Sequence, residues 1–301
     1  MRLLTRSDFD GLACAAMLKE LNVIDSYKFI HPKDLQDGLI EVSEDDVLAN
    51  VPYVEGCGLW FDHHTSERER LSQLKFNGLV QYIDIAAHVV YNYYQDKGHD
   101  LSRFDEMLVA VDKVDSAKLT ADDITRPKGW ILLGFIMDPR TGLGRFRDFR
   151  ISNYQLMEMM IDACREKNID EILNMPDVIE RIDLYYKQNV LFIDMLKNYS
   201  MTDRNVIITD LRDINPIYSG NRFLPYILFP EQNISIWVVD GRNKQNCVFA
   251  VGYSIINRTN TNDVGSILLE YGGGGHKQVG TCQVPYGEAD RVLGELRERL
   301  Q

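Results

Sequence analysis

Apolar and polar positions alternate along the N-terminal third of the chain in a way that predicts short strands separated by helical or loop segments. The predicted strands fall near 1–6, 27–31, 46–51, 58–62 and 80–84. Segments such as 11–21 and 85–97 carry apolar residues at helical spacing instead. This alternation predicts an α/β fold whose N-terminal part is a mostly parallel, doubly wound sheet with helices on both faces.

The pattern changes twice farther along the chain. Helical patterns dominate from about 104 to 199, and strand patterns return after Asn205, at 206–209, 234–239 and 248–256. We therefore predict two domains: 1–199, which includes the helical segment, and 203–301, a smaller α/β domain with a mixed sheet. The 301 residues are enough for each domain to bury a core of its own.

An acid and two imidazoles follow the apolar residues 58–60, in the segment Phe61-Asp62-His63-His64. Ligands of parallel sheets bind at the carboxyl ends of the strands, and Asp62 lies at such an end. Carboxylate oxygens and imidazole nitrogens suit Mn²⁺, Fe²⁺, Zn²⁺ or Mg²⁺. A strand end that simply faces water is the alternative interpretation.

A second pair of acids follows the first predicted strand. Asp8 and Asp10 alternate with Phe9, so an extended turn would direct both carboxylates to one side. Two carboxylates that close repel each other, which raises a pKa unless a cation lies between them. The alternative is that an aspartate caps the helix that follows, a role that explains one acid better than two.

Four glycines, 272–275, follow an apolar helical segment near the C-terminus, and His276 and Lys277 come directly after them. We attribute this run to anion binding rather than to packing, because glycine lets backbone N–H groups turn toward a phosphate and lets the phosphate approach closely. A flexible loop is the alternative.

Together these motifs resemble the DHH phosphoesterase superfamily over nearly the whole chain. The resemblance rests on Asp8-Phe9-Asp10-Gly11, on Asp62-His63-His64 and on the Gly-Gly-Gly-Gly-His motif, and the segment 110–116 looks like the fourth metal-binding segment of the family. It implies two divalent cations, usually Mn²⁺, in the N-terminal domain, and a substrate phosphate held by the C-terminal domain. The implied activity is hydrolysis of a small phosphorylated substrate: a short oligonucleotide, a nucleotide or a polyphosphate.

The chain departs from the family pattern at two metal-ligand positions. Family members usually carry a histidine two or four residues before the first motif aspartate, where this chain has Arg6 and Leu4. A bridging aspartate is usual at the end of the strand near 46–50, where this chain has Asn50, whose amide oxygen is a weaker ligand. We therefore expect one strong Mn²⁺ site, with Mg²⁺ as the alternative ion, rather than two.

The resemblance assigns a role to each candidate residue. The metal ligands would be Asp8, Asp10, Asp62, His63 and Asp115, with Asn50 as a weak one, and Asp10, His63 and Asp115 are expected to converge; Asp112 stays open as an alternative to Asp115. His64 would stabilise or protonate the leaving oxygen, and Asp62 would orient an imidazole or ligate the ion. Arg6 would neutralise Asp8 or bind a phosphate, unless it forms an ordinary ion pair. The substrate phosphate would be held by Gly273, Gly274, Gly275, His276, Asn257 and Arg258.

The net charge and composition of the chain limit the binding partners that we expect. A net charge of −12 argues against binding of duplex DNA and fits a small anionic substrate. The arginine-rich segment 138–150 leaves short single-stranded nucleic acid open, beside ion pairing. Five cysteines without paired spacing predict no disulfide framework, and no segment has the pattern of a membrane span or a signal peptide, so we expect a cytoplasmic protein without a membrane partner. A homodimer is left open.

Three hypotheses follow. We favour a divalent-metal-dependent phosphoesterase. The alternative is a degenerate, non-catalytic member of the family that binds a phosphorylated ligand without cleaving it. In a third hypothesis the motifs only specify the fold of an interaction module.

Overall fold

The computed structural model describes residues 1–63, 75–81, 83, 85–138, 141 and 143–301. The described strands form two sheets. They are β1 (Arg2–Thr5), β2 (Ser26–Phe29), β3 (Asp46–Ala49), β4 (Leu59–Asp62), β5 (Gly78–Val80), β6 (Ser200–Asp203), β7 (Val206–Asp210), β8 (Ile234–Asp240), β9 (Asn246–Tyr253), β10 (Gly274–His276) and β11 (Val279–Pro285).

The α-helices of the described residues connect and cover these strands. They are α1 (Phe9–Glu20), α2 (Pro32–Gln36), α3 (Ala86–Gln95), α4 (Asp105–Asp115), α5 (Ala121–Thr125), α6 (Gly129–Met137), α7 (Asn153–Glu166), α8 (Ile169–Leu173), α9 (Pro176–Tyr199), α10 (Leu224–Leu228), α11 (Val264–Leu269) and α12 (Ala289–Arg299). None of them combines the length and the apolar character that a membrane span needs.

The first sheet is parallel throughout and has the strand order β2-β1-β3-β4-β5. Thr5, Ala49 and Phe61 lie in one row across its three central strands. The residues that follow this row therefore emerge together at the carboxyl edge. Because the strand order reverses between β1 and β3, this edge opens into the crevice where such sheets bind ligands.

Helix α1 is the central helix of this part of the chain. Every residue from Phe9 to Leu18 is buried, because α1 packs against α3, α4 and α7 as well as against β1. A helix that is apolar on all faces is stable only when it is enclosed in this way. It begins at Phe9 because the carboxylate of Asp8 caps it and accepts a hydrogen bond from the backbone N–H of Gly11 at 2.9 Å.

Gly11 provides the first testable prediction. A Cβ atom at this position would lie 2.0 Å from the carbonyl oxygen of Arg6. Because that oxygen belongs to the backbone, Gly11→Ala is expected to destabilise the fold by about 2–3 kcal/mol in urea unfolding. The matched control is Gly294→Ala in helix α12, where a Cβ meets open space and the better helix propensity of alanine should stabilise by up to about 1 kcal/mol. Equal stability of Gly11→Ala and wild type would contradict the packing.

The chain divides into two compact units: residues 1–118 with 127–182, and residues 119–126 with 183–301. The division falls inside α9, whereas the predicted domain boundary lies at the end of that helix. The second unit contains the sheet β10-β11-β9-β8-β7-β6, which is antiparallel except for the parallel pair β7–β8. Its core is built from alternate residues of the central strands, such as Ile236 and Phe249, and from the apolar face of α12.

The predicted fold class is confirmed: a parallel sheet in the N-terminal part and a mixed sheet in the C-terminal part. Three strands that the sequence pattern did not predict are β6, β10 and β11. Strand β11 has buried residues only at Gly280, Cys282 and Val284, where a glycine and a cysteine give a weak apolar signal. The fifth strand of the first sheet lies at 78–80, earlier than the predicted 80–84.

Candidate metal centre

Three side chains that could hold one metal ion meet at the carboxyl edge of the first sheet. One ligand atom each from Asp10, His63 and Asp115 lies within 4.8 Å of the other two. Asp10 comes from the first turn of α1, His63 from the end of β4, and Asp115 from the last residue of α4. These are the three residues that the sequence analysis expects to converge; their role as ligands stays a prediction.

Only 1% of the surface of Asp10 is exposed, and its carboxylate lies against the N-terminus of helix α3. Its carboxylate accepts hydrogen bonds from the backbone N–H groups of Ala86 at 3.0 Å and Ala87 at 2.7 Å. These bonds favour the charged form, but burial and the negative charges of Asp115 and Asp8 outweigh them and hold the pKa of Asp10 well above its ordinary value. A cation beside Asp10 would reverse that balance.

His63 is oriented by the backbone. Its Nδ1 lies 3.2 Å from the carbonyl oxygen of Ile83. A carbonyl oxygen can only accept, so the hydrogen of this bond is on Nδ1, and Nε2 then carries the lone pair that a metal ligand needs. A histidine held in this way is the usual arrangement at protein metal sites.

Asp115 and Asp112 lie one helical turn apart on α4, and the structure separates their surroundings. Asp115 joins the group with Asp10 and His63. Asp112 instead contacts the Nδ1 atom of His88, with its two oxygens at 3.0 and 3.1 Å. The sequence analysis left these two acids open and did not single out His88. The sequence gives no signal for His88, because its partner Asp112 lies 24 residues farther along the chain.

Asp8 already contacts several donors. It accepts hydrogen bonds from the backbone of Gly11 and, at 3.2 Å, from the side-chain amide of Asn50, and it forms an ion pair with the Nε of Arg6 at 3.0 Å. Asn50 is buried and has a left-handed backbone, with φ of 58°. This ion pair fits both the expected neutralisation of Asp8 by Arg6 and the ordinary ion pair that was the alternative, so a role of Arg6 at the site stays a prediction. Asn50 contacts Asp8 as a donor, and its role as a weak ligand stays a prediction.

The structure says less about the other two residues of the Asp62-His63-His64 motif. Asp62 is fully buried at the end of β4, and its negative charge contributes to the raised pKa of the Cys14 thiol, behind burial and the charges of Asp10 and Asp8. The expected role of Asp62, orienting an imidazole or ligating the ion, stays a prediction. His64 lies outside the described residues.

The glycine run has a packing role that the sequence analysis excluded, and that expectation is wrong. Gly274, Gly275 and His276 form strand β10, which pairs with β11. A Cβ at Gly273 would lie 2.1 Å from the carbonyl oxygen of Thr281, and one at Gly275 would lie 2.2 Å from that of Val279. These two glycines are required because the backbones pack closely. His276 is exposed, and the phosphate-binding role of the run stays a prediction.

The side chains of Asn257 and Arg258 both donate hydrogen bonds to backbone carbonyl oxygens, in Asn257 to one outside its own turn. The side-chain amide of Asn257 donates to the carbonyl oxygen of Glu231 at 2.9 Å and accepts from the hydroxyl of Thr259 at 2.8 Å. The Nε of Arg258 donates to the carbonyl oxygen of Ile255 at 3.0 Å. Both side chains therefore shape the turn, and contact with a substrate phosphate stays a prediction for them.

An ion pair holds one arginine of the arginine-rich segment. The guanidinium of Arg150 binds the nearly buried carboxylate of Asp177 through two hydrogen bonds, one of them 2.8 Å long. Arg145 and Arg147 are exposed, and Arg140 lies outside the described residues. Ion pairing thus accounts for Arg150, and nucleic-acid binding by the segment is untested.

Comparison with known proteins decides the family. The pGpG-specific phosphodiesterase PggH from Vibrio cholerae shares 45% sequence identity with this chain over 99% of this chain and 98% of PggH, with a TM-score of 0.90. The chain belongs to the DHH phosphoesterase superfamily. The predicted resemblance is thereby confirmed, and the phosphodiesterase activity of PggH agrees with the favoured hypothesis of a phosphoesterase that acts on a small phosphorylated substrate.

More distant DHH structures share the fold alone. An exopolyphosphatase-related protein from Bacteroides fragilis has a TM-score of 0.53 at 11% identity, over 99% of this chain and 91% of that one. RecJ from Thermus thermophilus, in complex with Mn²⁺, has a TM-score of 0.51 at 14% identity, over 98% of this chain and 51% of RecJ.

Sequence comparison adds one curated relative. The A-adding tRNA nucleotidyltransferase of Aquifex aeolicus is 20% identical over 242 residues, which are 80% of this DHH chain and 25% of the relative. The chain therefore matches only about a quarter of that protein. No family model matches the chain.

Proposed function

We propose that this protein hydrolyses a short linear dinucleotide with a 5′-phosphate, of which pGpG is the first candidate, and that it uses one divalent cation held by Asp10, His63 and Asp115. The observation that supports this choice of substrate is the 45% identity to the pGpG-specific PggH along 98% of that chain. Water would add to the bridging phosphorus and the bond to the 3′ oxygen would break. Two 5′-mononucleotides would be the products.

The three side chains fit a divalent cation. Ligand atoms on opposite sides of an ion with bonds of about 2.1 Å lie about 4.2 Å apart, so a group within 4.8 Å can close around one with small side-chain movements. Two carboxylates and one imidazole are a donor set for Mn²⁺ or Mg²⁺. The raised pKa of Asp10 supports the same conclusion, because the buried carboxylate has neighbouring acids and needs positive charge.

The residues of the chain prepare this site before an ion binds. The N–H groups of Ala86 and Ala87 fix the Asp10 carboxylate, and the carbonyl of Ile83 fixes the His63 ring, so neither side chain must be ordered at the moment of binding. When bound, the cation supplies Lewis-acid chemistry: it makes hydroxide available near neutral pH and offsets charge on the phosphoryl oxygens.

The remaining candidates have supporting roles in this proposal. Asp62 orients a ligand or contacts the ion, and His64 protonates the leaving 3′ oxygen. The exposed His276, the glycine run and Arg258 bind the terminal phosphate of the substrate. A cytoplasmic location, a homodimer and a preference for Mn²⁺ over Mg²⁺ remain predictions of the sequence.

One observation favours the non-catalytic alternative. Asp8, which would hold a second cation in the family, is paired with Arg6 and bonded to Asn50. A protein restricted to one cation could bind a phosphorylated ligand without cleaving it. The same contacts are compatible with a one-metal enzyme, because the guanidinium supplies the positive charge that Asp8 needs.

Product analysis tests the proposal and separates it from that alternative. Purified protein with Mn²⁺ is expected to convert pGpG to GMP, and chelation of the metal should stop the reaction. The matched substrate is GpG, which lacks the 5′-phosphate and should react at least about 10-fold more slowly if a charge-assisted phosphate contact is made. Binding of pGpG without any GMP formation would establish the degenerate alternative instead.

A further inference from the structure

Two helices determine where the two carboxylates of the candidate metal centre lie. The first turn of α3 provides the N–H groups of Ala86 and Ala87 that hold Asp10. The last residue of α4 is Asp115 itself. The distance between the two carboxylates therefore depends on how α3 and α4 are joined at this end.

His88 and Asp112 form that junction. His88 directly follows Ala87 on α3, and Asp112 lies three residues before Asp115, on the same face of α4. The Nδ1 of His88 lies 3.0 and 3.1 Å from the two carboxylate oxygens of Asp112. Both side chains are about three-quarters buried, at 30% and 25% exposure, so water screens the contact only in part.

The junction works against a repulsion. The carboxylates of Asp10 and Asp115 each offer an oxygen within 4.8 Å of the other, so they repel each other when both are charged and no cation separates them. That repulsion tends to move the end of α4 away from the start of α3. The hydrogen bond between His88 and Asp112 opposes this movement. It lies one residue after Ala87, whose N–H group donates to Asp10.

We propose that His88 and Asp112 are positioning residues that hold α3 and α4 at the spacing at which Asp10 and Asp115 can share one cation. Neither residue belongs to the cluster of Asp10, His63 and Asp115, and both act through the helices that carry its parts. This role rests on the proposed metal-dependent function. It predicts that loss of the pair raises the Mn²⁺ concentration that the enzyme requires, and leaves its rate at saturating Mn²⁺ nearly intact.

The chain offers a matched control for the junction. The hydroxyl of Tyr91 on α3 donates to Asp105 at the start of α4 at 2.6 Å, which ties the same two helices at the end remote from Asp115. Tyr91→Phe removes this tie and leaves the ring in place. If any link between the helices served equally, Tyr91→Phe and His88→Ala would have the same effect.

The experiment measures Mn²⁺ dissociation constants by calorimetry and the Mn²⁺ dependence of pGpG hydrolysis. His88→Ala is expected to raise both the dissociation constant and the half-saturating Mn²⁺ concentration by about 10-fold, the lower end of the cost of removing a direct partner of a metal ligand, because His88 acts one contact farther from the ligands. His88→Asn, whose side-chain amide can replace the Nδ1–H donor to Asp112, should recover most of the affinity. Tyr91→Phe should stay within about 2-fold of wild type. The double variant His88→Ala/Asp112→Ala should lose no more than the worse single variant.

Three outcomes would overturn the inference: unchanged Mn²⁺ affinity in His88→Ala, an equal loss in Tyr91→Phe, or no recovery in a folded His88→Asn. Thermal unfolding without Mn²⁺ identifies variants that have simply lost their fold, and His88→Asn keeps the test decisive if His88→Ala is one of them. If wild type neither binds Mn²⁺ nor cleaves pGpG, the proposed function fails and this role fails with it. If wild type does both and His88→Ala matches it, only the positioning role fails.

Discussion

Replacement of Asp10 by alanine is expected to lower kcat/KM for pGpG by more than about 100-fold at any Mn²⁺ concentration that wild type needs. Removing an outer partner of a metal ligand already costs roughly 10–100-fold, and Asp10 is proposed as a ligand itself. Calorimetry should show no Mn²⁺ binding by the variant at micromolar concentrations. Wild-type activity in Asp10→Ala would contradict the proposed site.

Asp46 provides the matched control, because it is an equally buried carboxylate with a different environment. Both residues are 1% exposed. Although burial works the other way, hydrogen bonds from Arg2 and Ser43 hold the pKa of Asp46 below its ordinary value, so this acid is already neutralised by the protein. Asp46→Ala should destabilise the fold by about 2–3 kcal/mol and leave Mn²⁺ affinity unchanged. The comparison separates loss of a ligand from loss of a buried acid.

Topology accounts for the nearness of Asp10 and His63, which follow neighbouring strands, whereas Asp115, which ends helix α4, was predicted to join them from the resemblance to the DHH superfamily. Parallel strands end at one edge of their sheet, and Thr5, Ala49 and Phe61 form one row there. A sequence that places polar residues directly after such strands therefore brings them together whatever the details of the loops. The alternation of strands and helices was enough to predict that the residues after the strands lie at one edge, and the resemblance supplied the choice of ligands.

The partners of these residues were not predictable, since they come from elements far away in the sequence. The donors that hold Asp10 are 76 and 77 residues farther along the chain. Asp112 differs from Asp115 in its contact with His88. The sequence positions of the two acids, three residues apart on one helical face, give no basis for choosing one of them as the candidate metal ligand. Local spacing shows which face a residue occupies, and not what lies opposite that face.

The glycine run was misjudged for a related reason. Glycines that approach an anion and glycines that approach a neighbouring strand have the same sequence signature, since both positions exclude a Cβ atom. The partner that excludes it at Gly275 is the backbone of Val279 and Gly280, in a strand whose apolar pattern is weak. Strand β10 is the edge strand of its sheet, and phosphate binding by the run stays a prediction beside this packing role.

The second large effect that we expect is a steep pH dependence of Mn²⁺ binding. Burial, Asp115 and Asp8 raise the pKa of Asp10 well above its ordinary value of 3.8. A cation can bind only the deprotonated carboxylate, so below the raised pKa of Asp10 the ion must displace a proton. The apparent dissociation constant should then rise 10-fold for each pH unit of acidification, and calorimetry in two buffers of different ionisation enthalpy should detect one proton released from Asp10 per ion bound.

The same shift determines how the stability of the metal-free protein depends on pH. Because the folded protein binds the Asp10 proton more tightly than the unfolded chain does, ∂ΔG/∂pH for unfolding is negative between 3.8 and the raised pKa. The contribution of Asp10 to the free energy of unfolding is therefore lost as the pH rises through that interval, and Mn²⁺ should restore it. Carboxyl ¹³C NMR of aspartate-labelled protein, with Asp10→Asn to assign the signal, measures the titration directly. A signal that titrates near 3.8 would mean that the carboxylate needs no cation, and the electrostatic argument for the metal centre would be wrong.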